Sequence, residues 1–211
     1  MLTGDAEDYW GSWQILSVGG NAKFGLLELK KSDGVAGSWI DCYGSSGNGD
    51  LRITTAGTSG NITFLTGGAF TEKVRITSGG TAIFKAGLVE KYNKGTTLAA
   101  ASNNVALTSG NVHRFTTNES GAKTVNFTGV HSTLANGESV SFTVILTPNN
   151  SGYINAATVD GVAPFAGLKW SGGSAPSAGG SSGRDVYTFT IFKDGSATNS
   201  YEIFGAVTNY A

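Results

Sequence analysis

A short alternating segment recurs three times near the start of this chain, and it narrows the possible folds more than any other feature. Leu27-Glu-Leu-Lys-Lys-Ser-Asp33 aligns with Leu51-Arg-Ile-Thr-Thr-Ala-Gly57 and with Val74-Arg-Ile-Thr-Ser-Gly-Gly80. The copies begin at positions 27, 51 and 74, so they lie 24 and 23 residues apart. Each reads as a strand ended by a turn. Each is followed by a second strand: Trp39–Tyr43, Asn61–Leu65 and Thr81–Phe84. Repeats of this length signal a stacked array of supersecondary units. Each copy carries only two or three large apolar residues, so one chain can bury little by itself. An elongated β shaft sharing its core with identical chains is expected.

The pattern changes after about residue 90. Domains are expected at 1–90, a β-repeat shaft region, and 91–211, a β-sandwich head. From Leu98 onward, short strands follow one another at the spacing of a sandwich. They read as Asn104–Leu107, Val112–Thr117, Lys123–Phe127, Glu138–Thr147 and Tyr153–Val159. In the fourth, Phe142, Val144 and Leu146 share a face. The most distinct strand is Asp185–Lys193, where Tyr187, Phe189 and Ile191 share a face. Asp194-Gly195 offers a tight turn, and Tyr201–Val207 returns as the hairpin partner. Upstream, Trp170 ends an apolar run, and Gly172, Gly173 and Pro176 force a turn. Trp170 reads as a plug of the head. No amphipathic helix is evident beyond a short turn within Thr97–Ala106. The fold class is therefore all-β: a repeat-built trimeric β shaft, then a jelly-roll-like β-sandwich head.

Composition excludes several functions. Lys and Arg number 14 against 15 Asp and Glu, so no basic field favours nucleic acid. Cys42 is the one cysteine, so no disulfide forms within the chain. Met1–Tyr9 is acidic and does not read as a secretory signal. No apolar run approaches the ~20 residues of a membrane helix, so no membrane insertion is expected. Trp10 and Trp13, set among Asp5, Glu7 and Asp8, suit packing against another chain or capping of their own strands.

Two groups of motifs resemble a known family. Asn61-Ile-Thr-Phe-Leu-Thr-Gly-Gly68 followed by Thr71-Glu-Lys-Val-Arg-Ile-Thr-Ser-Gly-Gly80 resembles the strand repeat of bacteriophage tail fibres, as does Gly37-Ser-Trp-Ile-Asp41. Val140–Leu146, Leu168-Lys-Trp-Ser-Gly-Gly-Ser-Ala-Pro176 and Asp185–Phe189 with Lys193-Asp-Gly195 resemble a terminal head domain of marine and cyanobacterial phage fibres. The Trp-Pro dipeptide usual before the Lys-Trp element is replaced by Val159-Asp-Gly-Val-Ala-Pro-Phe165, and Ala82-Ile-Phe84 stands where a Gly-x-Gly is common. The resemblance implies a virion protein, on the phage tail or capsid surface. It implies a homotrimer joined to other virion proteins at one end, meeting a host surface polysaccharide or outer-membrane protein at the other. Alternatives are a structural decoration or capsid fibre without receptor specificity, and a glycan-depolymerising tailspike.

Candidate sites follow from chemistry. Pro148-Asn-Asn-Ser-Gly-Tyr153 sets the amides of Asn149 and Asn150 beside the ring of Tyr153, a combination suited to sugar hydroxyls and ring faces, on an exposed loop. It also reads as an ordinary Asn-rich turn. Trp170 reads either as a sugar platform or as the plug. Of Glu138, Asp160, Asp185 and Asp194, three sit at or beside turn signals, and they read as solvated turn acids and caps rather than as paired catalytic acids. No nucleophile elbow occurs. His113 and His131 lie eighteen apart without a His-x-His. No catalytic residue, metal ligand or cofactor is expected.

Overall fold

The computed structural model describes residues 60–66, 71–98 and 103–211, together with the strand segments 13–17, 25–30, 36–43 and 50–55. The chain divides into two compact units, Met1–Leu88 and Val89–Ala211.

The first unit consists of antiparallel meanders. β1 (Trp13–Ser17), β2 (Gly25–Lys30), β3 (Ala36–Tyr43) and β4 (Asp50–Thr55) pair in sequence order. β5 (Ile62–Thr66), β6 (Thr71–Ile76) and β7 (Ala82–Phe84) form a second, three-stranded sheet. All three repeat copies supply strands, β2, β4 and β6. A tight turn joins β6 to β7, closed by Thr77 N–H donating to the Thr81 carbonyl at 3.0 Å, with Gly80 in the left-handed region. The register sets Phe64 opposite Val74 and Val74 opposite Phe84. It also sets Ile62 opposite Ile76. Strand alternation puts these five side chains on one face. On that face Phe64, Ile76 and Phe84 are exposed, at 48, 38 and 52%, and Ile62 and Val74 are half-buried. The Trp10 and Met1–Tyr9 readings, and the side chains of Trp13 and Cys42, lie outside the described residues.

Among the described residues, the second unit has nine strands in two layers. One sheet has the order β14-β16-β15-β12-β10-β8, and the other β13-β11-β9. The ranges are β8 (Tyr92–Gly95), β9 (Asn104–Ala106), β10 (Val112–Asn118), β11 (Ala122–Thr128), β12 (Ser139–Thr147), β13 (Tyr153–Val159), β14 (Leu168–Trp170), β15 (Arg184–Lys193) and β16 (Tyr201–Tyr210). From β8 to β13 the chain changes sheet at every connection. Next-but-one strands therefore run the same way, and β8, β10 and β12 pair parallel, as do β9, β11 and β13. The β15–β16 hairpin closes the large sheet, antiparallel to β12. A jelly roll is assembled from antiparallel pairs. These parallel pairs differ from that expectation, because the chain winds between layers instead of folding back within one.

The layers share one core. Phe127 of β11 meets Phe142 of β12 and Phe189 of β15 across the gap, with centroids 4.8 and 5.1 Å apart. Phe142, Val144, Leu146, Tyr187, Phe189 and Ile191 are buried, as the alternation indicates. The Tyr187 hydroxyl crosses the core to accept the Ile154 N–H at 3.2 Å. The expected tight turn after β15 begins at Asp194 but closes only at Ser200, whose carbonyl accepts the Asp194 N–H at 3.0 Å. Among the described residues, helix is confined to α1 (Val130–Thr133) and two short 3-10 turns. None is long and apolar enough to cross a membrane.

Candidate functional site

Trp170 ends β14, and its partner in the parallel pair with β16 is Gly205. The indole is half-buried. Its edge meets Tyr187 and Phe189 at centroid distances of 6.3 and 5.8 Å. Its N–H points to the Asn155 carbonyl of the opposite sheet at 3.4 Å. The ring thus packs against its own sheet, and its N–H links that sheet to the opposite one. Gly172 and Gly173 then both adopt φ of 80°, a conformation that disfavours a side chain, and turn the chain into the loop before β15.

That loop gathers the other candidates. Asn150 sits in the left-handed region at φ 59°, which Asn tolerates better than most residues. Its N–H donates to the Gly180 carbonyl at 3.1 Å. Gly179 packs so closely on Gly152 and Pro148 that a Cβ there would overlap the Gly152 carbonyl oxygen. The loop root is fixed by Asp185, which is fully buried. Its carboxylate accepts the Gly180 N–H at 2.9 Å and the Asn209 amide at 2.6 Å. The 148–153 turn and the 174–183 loop therefore form one end of the unit. Asn149 and Asn150 are exposed there, and Tyr153 is half-buried. Trp170 joins them indirectly: it lines a hollow of about 330 Å³ with Ser174, Pro176, Ser177, Val207 and Asn209.

A second hollow of the same size opens on the outer face of the large sheet. Its walls are Lys169, Trp170, Ser171, Thr188, Thr190, Phe204, Gly205 and Ala206. Phe204 is 44% exposed and Phe192 38%. The two rings meet edge to face at 5.9 Å. Lys169 pairs with Glu202, and its Nζ stands 5.6 Å from the Phe204 centroid. Sequence reading passed over this face. Its signal lay in the alternation: Phe192 and Phe204 fall out of phase with the buried Tyr187, Phe189, Ile191 and Ile203.

The turn acids hold backbone. Asp160 accepts the N–H groups of Gly129 and His131 at 2.6 and 2.8 Å, at the start of α1. Glu138 accepts the Ala135 N–H at 2.7 Å. Glu119, which sequence reading did not single out, is buried. It accepts the Leu98 N–H at 2.5 Å and pairs with Lys123 at 3.3 Å. Lys193 is also buried and donates to the His131 and Leu134 carbonyls at 3.0 and 2.6 Å, covering the free carbonyls of α1.

The two histidines are far from equivalent. His131 Nδ1 lies 2.8 Å from the Tyr201 hydroxyl. His113 is buried in the core. Its Nε2 donates to the Gly110 carbonyl at 2.9 Å, and its Nδ1 faces the Asn93 amide nitrogen at 3.3 Å. Burial holds its pKa below the ordinary 6.5, against the raising effect of backbone bonds to Gly110 and Ala106. Among the described residues, no cluster of three or more His, Cys, Asp or Glu is arranged to hold a metal.

No family model, no curated protein and no solved structure matches this chain.

Proposed function

We propose that this chain is a phage virion fibre protein that attaches the particle to the host cell surface, and that it works as a parallel homotrimer. The observation that carries this reading is the apolar row Ile62, Phe64, Val74, Ile76 and Phe84, of which Phe64, Ile76 and Phe84 are exposed. Full burial of each such side chain contributes about 1.5–3 kcal/mol. A single copy forgoes much of that. Identical chains wrapped in register supply matching rows, and the repeat extends the contact along the shaft. The motif resemblance to fibre repeats supports the same reading. In the second unit, two hollows and the 148–153 turn offer contact surfaces on a rigid two-layer frame, the usual way loops are positioned for recognition. Three such units on one particle would gain by avidity from weak single contacts.

The acids support a role without turnover. Asp160, Asp185 and Glu138 are engaged with backbone, whereas a depolymerase requires two carboxyl groups facing each other across a bound sugar. The test is adsorption of the labelled full chain to a broad panel of bacterial strains. Attachment predicts saturable binding to a restricted set of strains. Absence of binding to every strain would overturn the attachment reading in favour of structural decoration. Release of oligosaccharides from strain polysaccharides would favour a depolymerase.

A further inference from the structure

We infer that the outer-face hollow between Lys169, Thr190 and Phe204 is a saccharide site, selective for an uncharged pyranose. This assignment rests on the attachment reading and specifies which face makes the contact. Four observations carry it. First, the hollow is about 330 Å³, the low end of the range for small-ligand sites. Second, it has an aromatic surface in Phe204, whose ring is braced by the edge of Phe192. An aromatic face attracts the weakly positive C–H groups of a sugar ring through its negative quadrupole. Third, hydroxyl-bearing residues line the hollow beside that ring. Thr188 and Thr190 line the hollow from β15, and Ser171 lines it from the β14 end. The Thr190 hydroxyl lies 3.2 Å from that of Ser141, which holds it in place. Hydroxyls donate and accept, as sugar hydroxyls require.

The fourth observation sets the class. Lys169 and Glu202 form an ion pair at the rim. Glu202 accepts from sugar hydroxyls and Lys169 donates to them, both as charge-assisted bonds. The pair carries no net charge, so it offers no unpaired cation to a carboxylate. For a uronate or sialate, repulsion from Glu202 offsets attraction to Lys169, so its carboxylate loses hydration without a net electrostatic gain. An uncharged ring meets no such repulsion. Lys169 Nζ stands over the Phe204 ring, 5.6 Å from its centroid, so a pyranose stacked on that face takes the place of the ammonium, which then turns to its hydroxyls. A purely apolar interface would strip the water from this pair at a desolvation cost.

The test uses the labelled full chain on a glycan array carrying neutral, uronate- and sialate-bearing saccharides, followed by cell adsorption with the same variants. Phe204→Ala and Glu202→Gln both alter exposed or half-exposed side chains, so folding is retained and is checked by near-ultraviolet circular dichroism. The expected result is binding to neutral pyranosides that weakens about tenfold or more in each variant, as for a central contact residue. Phe165→Ser, at an exposed ring outside the hollow, leaves that binding unchanged. Binding confined to uronate or sialate, or binding insensitive to Phe204→Ala, overturns the site. So does the absence of all binding to the array. Cell adsorption separates the two levels: strain-selective adsorption that survives Phe204→Ala removes the hollow and keeps attachment, whereas loss of adsorption by the unaltered chain removes attachment itself.

Discussion

The Trp170 indole rests directly on Gly205: a Cβ at position 205 would stand 3.1 Å from ring atoms Cε3 and Cζ3, and 3.2 Å from Leu168 Cδ1. Glycine is needed here for close approach and not for backbone conformation. The ring in turn reaches the opposite sheet through Asn155. Gly205→Val is expected to destabilise the chain by about 1–3 kcal/mol, the usual range for overpacking. Trp170→Leu in the same background should recover part of that loss, because the two residues are in contact and their effects couple. Urea denaturation of the single and double variants checks both.

Tyr187 joins the layers at a second point. Its hydroxyl accepts the buried Ile154 N–H. Tyr187→Phe keeps the ring but leaves that donor without a partner, which costs about 1–3 kcal/mol. Burial pushes the Tyr187 hydroxyl up to about 12, with the Asp185 charge adding to the effect and the Ile154 bond opposing it. The folded state thus favours the neutral phenol. The stability this contributes is present below pH 10 and is lost as pH rises from 10 towards about 12. Tyrosinate absorbance should show a late-titrating component that shrinks by one hydroxyl in Tyr187→Phe, burial raising Tyr201 as well.

Glu119 and Lys123 form a buried pair at the turn between β10 and β11. Glu119→Ala leaves the ammonium and the Leu98 N–H unpartnered together. Removing one member of a buried pair costs about 3–5 kcal/mol. The variant should melt far below the unaltered chain, or fail to fold. Replacing Glu138, whose bond to Ala135 is exposed, should cost about 1 kcal/mol, as for a lost cap.

His113 gives the fold an acid limit. Nε2 faces a carbonyl, so it must donate, and Nδ1 accepts from Asn93, which fixes the neutral ring. Its lowered pKa means that the unfolded chain takes a proton first as pH falls below 6.5. The stability it contributes is complete above 6.5 and is lost below it, down to the depressed folded value. The slope is at most about 1.4 kcal/mol per pH unit for one proton. Melting temperatures between pH 7 and 5 should fall for the unaltered chain and fall less for His113→Gln.

Much of the strand content was legible because burial follows side-chain alternation. Phe142, Val144 and Leu146, and Tyr187, Phe189 and Ile191, mark their buried faces without reference to any partner. The pairing of strands was not legible. Tyr92–Gly95 lies ahead of the strands read from Leu98 onward, yet it is the edge strand of the large sheet, parallel to β10. Nothing in four polar residues names a partner twenty positions away. The winding between layers was hidden for the same reason, since local pattern sets the face and not the sheet. Of the candidate contacts, the 148–153 turn stood out by composition. The Phe204 face did not, because its members come from β14, β15 and β16 and meet only in the folded unit. Asp185 looked like a turn acid and is instead a fully buried anchor for the loop before it.

The most direct test of the account is the solution mass of the full chain by light scattering. The shared-core fibre predicts about 65 kDa, three times the 21.6 kDa chain. Phe64→Ser, placed in the middle of the apolar row, should shift that mass towards the single chain. A clean species at 21.6 kDa for the unaltered chain would contradict the account, because the row Ile62 to Phe84 would then remain in water without a partner.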